Sequence, residues 1–186
     1  SASGAQAQNR QNKAGGMIQL EQTADISYYK VRFPWVRQIE PEAHLDDLVQ
    51  TILYLPGIDT NSSIWGLSYK DQSTVERFRK LGFMNCNLMK YVDMVSSQDQ
   101  LYNIALIQSF INEIGMKRLL RTYGQPDVII GRHFLEHAHN TFDFLKAIRM
   151  LATLGCYIVL EIPECSRLIS KLDYTALWEE HITYFT

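Results

Sequence analysis

The chain has 186 residues, 46% of them hydrophobic and 20% charged, the make-up of one globular domain with a core of its own. A formal net charge of -2 leaves no electrostatic footprint for nucleic acid, and basic groupings such as Lys117, Arg118 and Arg121 are short. No apolar run approaches the roughly eighteen residues of a membrane span, so the expected partner is a small molecule, not nucleic acid or a membrane. Cys86, Cys156 and Cys165 are odd in number and widely spaced, which argues against a disulfide framework or a CxxC metal site and for a reducing, cytoplasmic compartment.

Residues 1–16, SASGAQAQNRQNKAGG, hold no large apolar side chain and cannot offset their own ordering entropy by burial. They read as a disordered leader to a domain spanning 17–186. Residues 17–40 add Tyr28, Tyr29, Phe33 and Trp35, which either cover a sheet edge or pack over a ligand. From Pro41 to residue 55, Leu45, Leu48, Val49, Ile52 and Leu53 recur on one helical face, and Pro56 and Gly57 end the run. A short strand is expected at 64–67. Ser73 and Glu76 spell a capping box for the next helix, with Val75, Phe78 and Leu81 on its apolar face and Gly82 as its stop. A weaker strand at 83–89, a polar stretch at 96–100 and a helix at 112–123 closed by Gly124 follow.

The last third is the most informative. Residues 127–131 and 156–162 are apolar runs too short for helices, the second stopped by Pro163, and both read as interior parallel strands. Between them Asn140 is a helix N-cap, Phe142, Leu145, Ile148, Leu151 and Ala152 recur at helical spacing, and Gly155 stands at the helix end. The order β-α-β-α-β-α-β implies an α/β fold with a Rossmann-like, doubly wound, mostly parallel sheet. Ligands of such sheets bind at the carboxyl ends of the strands, which groups Arg132, His133, Phe134, Glu136 and His137, with Glu161 and Glu164 at the neighbouring strand end.

Three segments in close succession, RHFLEHAHNTFDFLKAIRMLATLG, YIVLEIPE and LDYTALWEEHITYF, resemble the class I S-adenosylmethionine-dependent methyltransferases, and more narrowly the branch related to sugar C-methyltransferases. The resemblance covers about residues 41–186 and is strongest after Asp127. It implies S-adenosylmethionine as cofactor and a small acceptor, with a nucleotide sugar as one candidate. Because the family's sheet continues past its fifth strand, it also implies a chain truncated there, a piece of a longer enzyme.

The resemblance assigns the cofactor to Gly66, Ser68 and Asp71 in the first loop, to Asp93 after the second strand, and to Arg132, His133 and Phe134. The first loop is poorer in glycine than the family's, and Gly66 matches either the first glycine or, without a gap, the acidic position. Glu180 and His181 stand where the family places an acid and a histidine that removes a proton from the carbon to be methylated. The residue types fit that chemistry: a C–H beside a carbonyl must be deprotonated before it attacks the methyl sulfonium, and histidine titrates near neutral pH. Trp178 stands where the family often has tyrosine. A degenerate, non-catalytic module is the alternative within the fold. A zinc peptidase is the alternative outside it, since His133 to His137 spells H-x-x-E-H. That signature needs both histidines on one helical face, whereas here it follows directly on a strand and precedes the Asn140 cap, so no metal is expected at His133 and His137.

Overall fold

The computed structural model describes residues 9–11, 17–20, 42–94, 107–173 and 181–186. Tyr28, Tyr29, Phe33, Trp35, the polar stretch 96–100 and Tyr174, Trp178, Glu179 and Glu180 lie outside the described residues. In chain order the elements are β1 (Asn9–Gln11), β2 (Met17–Leu20), α1 (Leu45–Leu53), β3 (Ile64–Gly66), α2 (Gln72–Lys80), β4 (Cys86–Leu88) and α3 (Tyr91–Met94). They continue with α4 (Glu113–Tyr123), β5 (Val128–Arg132), α5 (Thr141–Leu151), β6 (Tyr157–Glu161), α6 (Ser166–Ser170) and β7 (Thr183–Phe185).

Four strands form one parallel sheet in the order β4-β3-β5-β6. The period-2 alternation of strand side chains explains why both faces are covered. Ile64, Val128 and Ile130 join Val49 and Ile52 of α1 and Val75 and Phe78 of α2 in one core. Trp65 and Ile129 join Met116 and Leu119 of α4 and Phe144, Ile148 and Leu151 of α5 in the other. The fold is therefore a Rossmann-like, doubly wound α/β sheet. Its order reverses between β3 and β5, because β3 leads outward to β4 and the chain then crosses back to β5.

Three local readings need correction. The Ser73 capping box is absent: α2 starts at Gln72, so Ser73 is already inside the helix. The box forms instead at Ser68, whose side chain accepts from Lys70 N while Asp71 accepts from Ser68 N, around a 3-10 turn at Tyr69–Asp71. On α5, Phe142 and Leu145 are 75% and 40% exposed, while Phe144, Ala147, Ile148 and Leu151 face inward. An edge-to-face contact of the Phe144 and Phe134 rings, 5.3 Å between centroids, fixes that phase. The leader is also structured in part. Asn9–Gln11 pair antiparallel with β2, which pairs in turn with β7, and a main-chain ladder of this kind requires no apolar side chain.

Asn140 does cap α5: its Oδ1 accepts from Asp143 N at 3.1 Å, and its Nδ2 donates to the Asp143 carboxylate at 2.6 Å. Asn140→Ala is expected to cost about 1 kcal/mol of stability in urea unfolding. An unchanged midpoint would show that the cap is redundant. Among the described residues no helix is long and apolar enough to cross a membrane.

Candidate functional site

The carboxyl ends of β3, β5 and β6 carry a dense polar network. Asp71, fully buried, braces the first loop against the β5 end: Oδ2 accepts from Ser68 N at 2.8 Å and Oδ1 from Arg132 N at 2.9 Å. Burial pushes its pKa up to about 7, against the two backbone bonds, the Arg132 charge and the Ser68 hydroxyl. Gly66 leaves no room for a side chain, since a Cβ there would stand 2.7 Å from Asp71 Cβ.

Arg132 is buried as well. Its Nε donates to Glu161 Oε2 at 2.8 Å and its Nη1 to the Lys70 carbonyl at 2.9 Å. Glu161 also faces His133 Nε2 at 2.8 Å and His44 Nε2 at 3.1 Å. Burial works to raise the Glu161 pKa, yet the bonds from His133, Arg132 and His44 and the Arg132 charge outweigh it and hold the carboxyl well below the usual range. His133 takes a left-handed backbone with φ 48, and this turns the chain sharply off the strand.

Past that bend a 3-10 turn, Leu135–His137, directs Glu136 and His137 inward, leaving them 0% and 3% exposed. His181 arrives from the far end of the chain. Ile182 N donates to the Glu136 carbonyl at 2.8 Å, Cys165 N donates to the Phe185 carbonyl at 2.8 Å, and Glu164 bridges Phe185. Those contacts set the His181 ring edge-on to the His137 ring, 4.8 Å between centroids and 89° between planes. His181, partly exposed, is the member that can meet a ligand.

The structure thus brings Gly66, Ser68, Asp71, Arg132 and His133 to one wall and His181 to the neighbouring turn. Phe134 is a correction: it is 0% exposed and packed on Phe144, so it belongs to the core and presents no face to a ligand. Asp93 is occupied in tying α3 to α4, accepting from the Tyr123 hydroxyl at 2.5 Å and from Lys90 N at 3.1 Å. Glu180 lies outside the described residues. The carboxylate shown beside His181 and His137 is Glu136, which the sequence placed at the turn without a role. One signal could have found it, because the chain spells Glu-His twice, at 136–137 and 180–181. The peptidase geometry is not formed: His133 precedes the 3-10 turn and is directed to Glu161, so it shares no helical face with His137.

Fold and strand-end network together define a Rossmann-like α/β protein with its polar groups gathered beside the reversal of strand order. The chain matches no protein-family model and no curated protein sequence.

Proposed function

We propose that this chain is an S-adenosylmethionine-dependent methyltransferase domain that methylates carbon on a sugar or similar small polar metabolite, with a nucleotide sugar as one acceptor class. The observation that carries the reading is the delivery of His181 to the β5 end, against His137 and Glu136. Open α/β sheets bind ligands at such a reversal of strand order, and Arg132, at the end of β5 beside it, meets Glu161 of β6 while Ile182 N donates to the Glu136 carbonyl. In this reading Gly66, Ser68, Arg132 and His133 form the cofactor wall, braced from behind by Asp71. His181 takes the proton from the acceptor carbon, and the buried Glu136–His137 pair orients it. Three free cysteines suit a cytoplasmic setting.

A non-catalytic module is the second reading, and one observation favours it. The Asp71 carboxylate is spent entirely on loop and strand hydrogen bonds and has no surface left for a cofactor. Titration calorimetry with S-adenosylmethionine and with its demethylated product separates the two. Saturable heat and a raised unfolding temperature are expected. Neither response at millimolar ligand would leave the non-catalytic module standing.

A further inference from the structure

We infer that Glu136, His137 and His181 form a binding site for a divalent transition-metal ion of the zinc class. The inference rests on the geometry of these three side chains and goes beyond methyl transfer. One ligand atom from each lies within 4.8 Å of the others. Metal–ligand bonds of ~2.0–2.2 Å place tetrahedral donors ~3.3–3.6 Å apart, so side-chain rotations of about an ångström close the three on an ion.

A second observation points the same way. Glu136 is completely buried, and neither of its carboxylate oxygens accepts a hydrogen bond from a described residue. A buried carboxylate that lacks such bonds calls for a compensating charge. Among the described residues, His133 Nδ1 stands 3.4 Å from Oε1 while its other nitrogen faces Glu161 at 2.8 Å, so that one imidazole is shared between two carboxylates. An ion held between Glu136, His137 and His181 supplies the charge from the open side.

Two imidazoles and one carboxylate make a borderline nitrogen and oxygen donor set, suited to Zn²⁺ or Fe²⁺ and not to the soft Cu(I). It is also not the H-x-x-E-H arrangement, because here the glutamate is a donor and the first histidine stands apart. Three protein donors leave a further position for water or a ligand oxygen on the partly exposed His181 side. Where the methyl-transfer reading also holds, an ion on His181 removes the base, so metal binding and methyl transfer exclude each other on one molecule.

The test uses the whole chain purified without chelator and Zn²⁺ alone as probe. One ion per chain is expected by calorimetry and by elemental analysis after gel filtration, with affinity declining as pH falls through the imidazole range. His137→Gln and His181→Gln should each weaken binding on the order of tenfold or more. X-ray absorption on the zinc-loaded wild type reads the same site without depending on how a variant folds: two imidazoles with oxygen, and no sulfur. Absence of binding with zinc in excess, sulfur in the shell, or undiminished zinc in a variant carrying both His137→Gln and His181→Gln overturns the assignment. S-adenosylmethionine calorimetry on the same sample decides the methyl-transfer reading separately.

Discussion

His181→Asn is expected to lower methyl-transfer turnover by ~10²- to 10⁴-fold while leaving S-adenosylmethionine binding unchanged, the loss typical when a positioned acid-base group is removed. The expectation follows from where the ring stands. It is partly exposed, edge-on to His137, and held by the Ile182 to Glu136 main-chain bond, which the asparagine variant retains. Two measurements on the metal-free protein belong together, methylation of the acceptor and exchange of the proton on its reacting carbon. Both should fall in parallel. Full activity in the variant, or a product methylated on oxygen or nitrogen, would remove carbon methylation from consideration.

The second large effect concerns stability against pH. Asp71 titrates near 7 in the folded chain and at an ordinary 3.8 when exposed. A carboxyl whose pKa is raised by folding favours the native state while protonated, so its contribution is complete below about pH 4 and is lost as pH climbs through about 7. A shift of about three units corresponds to up to ~4 kcal/mol. Glu161 has the opposite sign, its contribution being present above its ordinary range and lost in acid. Subtracting Asp71→Asn from wild type leaves the Asp71 part, because both proteins keep Glu161. Urea unfolding across pH 4 to 8 is expected to show wild type losing ground to the variant up to about pH 7 and then running parallel. Parallel curves throughout would mean that the donors from Ser68 and Arg132 overcome burial and keep Asp71 ionised in the fold.

How much of this could be read from the chain differs sharply by element. β5 was legible because a strand covered on both faces reads as a near-continuous apolar run, and Val128 to Gly131 are apolar and buried before Arg132 turns to the polar strand end. The Asn140 cap was legible because its hydrogen bond is local. The α2 start was not: Ser68-x-x-Asp71 and Ser73-x-x-Glu76 both spell a capping pattern, and the choice fell to the Arg132 main chain, a distant donor that captures Asp71. Phe142 and Leu145 misled because α5 carries apolar residues on more than one face, and a ring contact with Phe134 decided between them. The grouping of Glu136, His137 and His181 depends on long-range main-chain contacts, Ile182 to Glu136 and Cys165 to Phe185, and no periodicity or spacing encodes them.

The pairing of β2 with β7, Gln19 opposite Thr183, has a consequence for the order of events during synthesis. β3 to β6 pair in a sheet in which each strand docks beside one already made, so they can assemble as the chain emerges. Among the described strand pairings β7 with β2 spans the greatest chain separation, and contacts of such separation come at the largest entropic cost and form late. His181 sits immediately before that strand. During synthesis β3 to β6 are therefore available to pair before β7 closes, and Glu136 meets His181 only once residues 181–186 have been made.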